Sequence, residues 1–412
     1  MSATTDPMVQ DERRRLGRVE FIAMMGTIFA TVAFSIDAML PALPEIAEDL
    51  TPEAVNRAQL ILTSFVLGMG LGTLVVGPLS DALGRKTVIL LGALLYLAGA
   101  LLALVAPSLE LILLARVIQG LGASGPRVVS IAMIRDLYSG RAMAQIVSYA
   151  MMIFTLFPAV APLIGAAIIA GFGWRSIFVA FMVFSVVSVS WVMLRQPETL
   201  PREARRKLSL GQTWRDMREA LANRQMQLSI LVQTFVFGAL FGTLSSVQQV
   251  FDLTYGRGES FPFWFAFIAL LSAPAAPTNA RLVIRLGMRP MIRTALWVSA
   301  TCSFAAAIVI GVLNLGAAEF WIYFVWTVSI FASAAFTIGN LNALALEPLG
   351  HIAGTASSLM GALATVGGAL AGAALGQLYN GTAVPLAIGA GVMLTLGAVV
   401  MRNMPRELPG GL

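Results

Sequence analysis

Residues 77–86 read Gly77-Pro-Leu-Ser-Asp81-Ala-Leu-Gly84-Arg85-Lys86. An apolar run lies on each side, 57–79 before and 88–106 after. Each run is long enough for a helix to cross a bilayer, which takes about 20 residues at 1.5 Å rise. The charged stretch therefore reads as a turn between two spanning helices. Its glycines permit a tight turn and close helix approach. Arg85 and Lys86 suit an anionic membrane surface, and Asp81 can pair with Arg85 or face the N-terminus of a nearby helix. A fainter copy, Asn279-Ala-Arg-Leu-Val-Ile-Arg-Leu-Gly287-Met-Arg289, follows later. Setting Gly84 on Gly287 gives an offset of 203 in a chain of 412 residues, close to half. Paired halves of this kind are built around a site at the bilayer midplane.

The composition extends this reading to the whole chain. It is 58% hydrophobic and only 12% charged, against about 25% charged in soluble proteins. Most of the surface must face lipid. Twelve segments qualify as spans, at 20–43, 57–79, 88–106, 109–133, 145–170, 176–194, 227–250, 262–283, 291–313, 319–345, 354–378 and 384–401. The expected fold is an all-α membrane protein of twelve transmembrane helices in two six-helix bundles, 20–194 and 226–402. A linker, 195–225, joins them, and tails 1–19 and 403–412 flank them. Within the linker, Trp214, Met217 and Leu221 have the spacing of an amphipathic surface helix, while a solvated connector is the plainer alternative.

The net charge is +6. Its distribution argues for a bilayer and against nucleic acid as partner. Of 27 Lys and Arg, 22 fall in the tails, the linker and the connections on one side, and three (Arg57, Arg175, Arg257) on the other. Such asymmetry places both termini in the cytoplasm. The apolar stretch after Arg13, Arg14 and Arg15 is too long for a signal peptide. One cysteine, Cys302, and one histidine, His351, leave no disulfide, no thiol or zinc metal site and no Ser-His-Asp hydrolase. No catalytic residue, metal or cofactor beyond protons is expected.

The remaining basic residues, Arg116 and Arg127, lie within a span. An intramembrane arginine costs at least about 3 kcal/mol on insertion scales, so it is a functional candidate. Eleven steps of helix are about three turns, which puts Arg116, Gln119 and Arg127 on one face. That face must meet a cavity or a partner helix, although Arg127 is close enough to the cytoplasmic end to snorkel. Asp37 is the one carboxylate clearly inside a span. A lone buried acid can load and release a proton. Similar depth pairs it with Arg116, either as a proton switch or as a static ion pair. Met151, Phe154 and Phe241 are candidates for an apolar pocket. Gln248, Asn340 and Asn342 are candidate polar lining, with helix-to-helix hydrogen bonding as the alternative. Pro158 and Pro162 permit a bend in the fifth span. Glu347 could act as a gate at the cytoplasmic end.

These stretches resemble a known family. Gly77, Asp81, Gly84, Arg85 and Lys86 match the G-x-x-x-D-x-x-G-R-K signature of the major facilitator superfamily. Arg116-Val-Ile-Gln119-Gly120-Leu-Gly122 matches its R-x-x-Q-G-x-G pattern. In the fifth span, Pro158-Ala-Val-Ala-Pro162-Leu-Ile-Gly165 lacks most glycines of the antiporter element. Ser35-Ile-Asp37-Ala-Met-Leu-Pro41-Ala-Leu-Pro44, Phe172-Gly-Trp174-Arg175 and Pro197-Glu198-Thr199-Leu200 resemble the bicyclomycin-resistance (Bcr/CflA) type of drug exporter. The resemblance implies a proton-driven exporter of small antibacterial compounds, a monomer in the bacterial inner membrane, with Asp37 in proton coupling. It also makes the start of the eleventh span, near Gly354 and Thr355, the partner of the 77–86 turn. Proton-coupled uptake is the alternative within transport. A receptor or scaffold would need a sizeable extramembrane domain. A phosphatase or fluorescent reporter at Leu412 and another within 195–225 should both report the cytoplasm. A periplasmic signal at either place contradicts the topology.

Overall fold

The computed structural model describes residues 16–205, 209–313 and 315–405. Arg13, Arg14, Arg15, Arg206, Lys207 and Arg406 lie outside them. Among the described residues the secondary structure is helical, with no strand. The first bundle contains α1 (Arg18–Asp37), α2 (Leu43–Leu50), α3 (Leu60–Leu83), α4 (Arg85–Leu104), α5 (Leu109–Leu137), α6 (Gly140–Leu156), α7 (Ala161–Phe172) and α8 (Ser176–Arg195). After α9 (Leu210–Ala222) come α10 (Arg224–Gln249), α11 (Phe261–Ser272), α12 (Ala275–Leu286), α13 (Met288–Val312), α14 (Ala318–Leu346), α15 (Ala353–Gly376) and α16 (Val384–Arg402).

Among the described residues, eleven helical stretches are long and apolar enough to cross a membrane. One of them, Ala318–Gly376, has 59 residues, which is about 88 Å of helix at 1.5 Å rise. It is divided by a 3₁₀ turn, Glu347–Ile352, where Leu349 leaves helical geometry at φ −119°. Two spans result, α14 and α15, and the total is twelve.

Three expected spans are not continuous. The first ends its regular helix at Asp37, not at residue 43, and passes through a 3₁₀ turn, Leu40–Ala42, into α2. The fifth starts at Gly140 and breaks at a 3₁₀ turn, Phe157–Ala159, before α7. The eighth breaks between Ser272 and Ala275. Pro41, Pro158 and Pro274 account for these breaks, because proline removes an N–H from the helical ladder and clashes with the preceding turn. The apolar runs continue across the prolines, so hydropathy alone does not reveal them.

Close packing is set by small residues. A Cβ on Gly120 of α5 would collide with the Phe65 carbonyl of α3, and one on Gly68 of α3 would collide with the Val117 carbonyl of α5. These helices therefore meet backbone to backbone. Between the bundles, α3 packs against α15, and α11 packs against α7 and the Phe157–Ala159 turn. The helix α9 has a Ser209 N-cap accepting from Gln212 N. It rests on α10, α15 and the Glu347–Ile352 turn, with Trp214 turned outward. The repeat is visible in the backbone. Gly84 has φ 98°, ψ 156° and Gly287 has φ 82°, ψ 161°, each a left-handed joint between consecutive spans.

Candidate functional site

The end of α1 creates the setting for Arg116. A helix that stops leaves its last four carbonyls without intrahelical partners and carries negative partial charge there. Ser35 is two residues from the end of α1. Arg116 Nη2 donates to the Ser35 carbonyl at 2.8 Å, Nε donates to the Ile61 carbonyl at 3.3 Å, and Nη1 donates to Gln119 Oε1 at 2.6 Å. Its guanidinium lies 4.4 Å from the Phe65 ring centroid and 5.7 Å from that of Phe181. The side chain is fully buried. The Ser35 hydroxyl meets the Tyr96 hydroxyl at 2.5 Å, which ties α1 to α4 as well.

Asp37 is 5% exposed and lies at the break of the first span. Among the described residues no ion pair joins it to Arg116. The expected pairing is corrected on this point, because the backbone carbonyl of Ser35 and the side chain of Gln119 already occupy the guanidinium. The result is a buried carboxylate with no cation beside it, at a point where the chain has left the helix.

Arg127, on the same face of α5, is half-buried and donates to Met69 Sδ at 3.6 Å. No carboxylate pairs with it among the described residues. Asn340 is buried and donates to Asn279 Oδ1 and to the Phe336 carbonyl, each at 2.9 Å, so it joins α14 to α12. Asn342 is half-buried. The ring of Phe241 stacks on Phe237 at 5.1 Å, and both lie over glycines of α15. Met151 and Phe154 pack against the first bundle and Phe241 against α15. Gln248 is buried at the other end of α10, against a cavity shared by the two bundles.

The 77–86 turn is a charge cluster on the face that carries Arg18 and Arg402, here called the basic face. Arg85 is 3% exposed. It donates to Asp81 at 2.6 Å, to Ser80 Oγ at 2.7 Å and to Asp136 Oδ2 at 2.9 Å. Glu198 accepts from the backbone N–H of Arg85 at 3.0 Å and of Lys86 at 3.1 Å, which caps the N-terminus of α4. Lys86 Nζ donates to the Met193 carbonyl at 2.9 Å. A Cβ at Gly84 would meet Arg205 at 2.6 Å and Glu198 at 2.8 Å, so glycine is needed for space as well as for φ. At Gly77 a Cβ would touch Ser358 of α15 at 3.5 Å. Met288 stands where Arg85 would fall in the repeat. Glu347 is exposed and accepts from Gln225 Nε2 at 3.2 Å. Pro158 is half-buried in the break of the fifth span, and Pro162 is buried in the first turn of α7.

On the opposite face the bundles are hydrogen-bonded to each other. Gln59 Nε2 donates to Gln249 Oε1, and Ser246 donates to Gln59 Oε1 at 3.0 Å. Gln249 donates to Asn56 Oδ1 at 2.7 Å, while Asn56 donates to the Tyr379 carbonyl at 2.9 Å. Gln377 returns a bond to the Asn56 carbonyl at 2.9 Å. Ser246 and Gln249 are polar residues that close an apolar span. Asn56, Gln59 and Tyr96 carried no comparable signal.

The family model described as Major Facilitator Superfamily matches residues 24–372. The chain is 32% identical to a bicyclomycin resistance protein homolog of Haemophilus influenzae, over 92% of this chain and 93% of that one. It is 27% identical to multidrug resistance protein D of Escherichia coli, over 86% and 88% of the two chains. In structure it is similar to the xylose transporter of E. coli in a partially occluded inward-open conformation. The TM-score is 0.72 at 13% identity, covering 96% and 99% of the two chains, which shows a shared fold.

The charges inside the spans lean positive, with Arg116 and Arg127 on one face of α5. Neutral, zwitterionic and anionic compounds should be accepted, and lipophilic dications should not. Transport of matched neutral, anionic and dicationic compounds checks this, and Arg127→Ala should weaken the anion roughly tenfold more than the neutral one. Robust transport of the dication alone contradicts it.

Proposed function

We infer, because this chain belongs to the major facilitator superfamily, that it exports small antibacterial compounds in exchange for protons. It is a multi-pass protein of the bacterial inner membrane and a transporter, not an enzyme. The observation that carries the exchange reading is Asp37, a buried carboxylate with no ion pair among the described residues, at the break of the first span. An ionised carboxylate in an apolar interior is costly, and protonation removes the cost. A substrate that lowers the need for that proton competes with it, and the coupling is reciprocal.

The relatives support the direction of transport. One is named for bicyclomycin resistance and one for multidrug resistance. The likeness to a xylose transporter concerns the fold alone, so it does not favour uptake. We place the basic face in the cytoplasm, from the distribution of Lys and Arg. The hydrogen bonds among Asn56, Gln59, Ser246 and Gln249 then close the periplasmic side, and the cycle would open them while engaging α3 with α15 on the other. Protons are the coupling ion and no other cofactor is required. The monomer is the working unit, and no nucleic acid partner is proposed.

Arg116 takes a different part from a switch partner. It holds the end of α1 to α3 and α5, so Arg116→Ala should lower stability and transport together. Asp37→Asn should leave binding largely intact and abolish accumulation. The measurement is uptake into inside-out proteoliposomes under an imposed pH gradient. If Asp37→Asn concentrates substrate as well as wild type, the coupling group is elsewhere and Glu347 is the next to test.

A further inference from the structure

The face opposite the basic one holds a cavity that the transport cycle does not account for. It has a volume of about 300 Å³ and lies between the bundles, within the range of small-molecule sites. The first bundle contributes Leu43, Ala47, Glu48 and Val55, and the second contributes Gln248 and Asp252. The wall also includes Gln59 and Gln249, the residues that join the bundles. Asp252 is in a π-helical turn, Val250–Thr254, which swings it out of the helical register of α10.

Two features of this cavity point to a ligand. The first is Gln248. Its side chain is 3% exposed and borders the cavity, yet it has no hydrogen-bond partner among the described residues. The second is charge. Glu48 and Asp252 have no ion pair among the described residues, and the three arginines of this face are engaged elsewhere. Arg57 pairs with Glu110 at 2.8 Å and Arg175 with Asp49 at 3.1 Å. Arg257 lies 4.1 Å from the ring centroid of Phe320 and 5.3 Å from that of Trp264. No basic residue borders the cavity.

We propose that this cavity is a second binding site, for an amphipathic amine in its protonated form that enters from the face opposite the basic one. The apolar body lies against Leu43, Ala47 and Val55. The ammonium group faces Glu48 and Asp252 and donates to Gln248 Oε1. Both bundles contribute walls, so the site is complete only while Gln59 and Gln249 meet. A ligand that binds one state alone shifts the population toward that state. The amine therefore holds this face closed and slows transport from outside. The binding part stands apart from the proposed transport direction, and the population part rests on the two-state cycle.

The probe is 1-naphthylmethylamine, with neutral 1-naphthylmethanol as its isostere, titrated by fluorescence against purified full-length protein. Saturable amine binding at least tenfold tighter than the alcohol is expected. Glu48→Gln with Asp252→Asn should weaken the amine at least tenfold, and Val55→Trp should block it by filling the cavity without changing charge. In a Cys302→Ser background, spin labels at Val105→Cys and Leu313→Cys should show a narrower distance distribution when the amine is added. Equal binding of amine and alcohol overturns the proposal, because it marks an apolar or lipid site. Equal binding by wild type and Glu48→Gln/Asp252→Asn overturns it as well, because the amine then sits elsewhere. Binding without a change in the distances overturns the population part alone.

Discussion

The guanidinium of Arg116 holds the first bundle together at the point where its first helix stops. A buried charge is tolerated only when its surroundings replace the water it lost, and the penalty is several kcal/mol per ion. Here the replacements are carbonyls of Ser35 and Ile61, the amide oxygen of Gln119 and the faces of Phe65 and Phe181. Hydrogen bonds to a charged group contribute about 1.5–3 kcal/mol each, which is the right size to offset that penalty. The carbonyl of Ser35 is available because α1 ends two residues later. The break in the helix and the buried arginine therefore require each other, and the close approach of α3 and α5 at Gly68 and Gly120 keeps the donors within reach.

Asp37 follows from the same arrangement. It sits just beyond the carbonyl that Arg116 caps, but it has no share of the guanidinium. Two opposite charges close together in a low-dielectric interior would form a deep, static pair. Separating them leaves the carboxylate free to respond to protons and ligand. The basic face shows the contrasting design. Arg85 is held by Asp81 and Asp136, and Glu198 of the linker caps the helix that Arg85 begins. Charge is neutralised there, whereas Asp37 has no ion pair among the described residues, and the proposed exchange assigns the response to it.

The sequence made the architecture legible because its signals are physical and additive. Apolar runs of bilayer length, the turn at 77–86 and its faint copy at 279–289 give the spans and the repeat. The glycine joints at Gly84 and Gly287 share one backbone conformation, as their alignment implies. Arg116, Gln119 and Asp37 were visible as polar residues in apolar surroundings. Their partners were not. A carbonyl freed by a helix break leaves no mark in a residue pattern, so Arg116 was matched to the nearest acid and not to Ser35. Gln248 is a candidate for polar cavity lining in sequence, and it borders a cavity on the face opposite the basic one. Asn56 and Gln59 act only through residues about 190 and more positions away, which no local pattern can show.

The claim that Asp37 carries the exchanged proton can be read directly as protons released on binding. Purified transporter in lightly buffered solution near neutral pH is mixed with saturating substrate, and the pH change is followed with a soluble dye. The account predicts release approaching one proton per transporter for wild type and none for Asp37→Asn at equal occupancy. Arg116→Ala protein that remains folded should still release its proton. Equal release from wild type and Asp37→Asn would contradict the account.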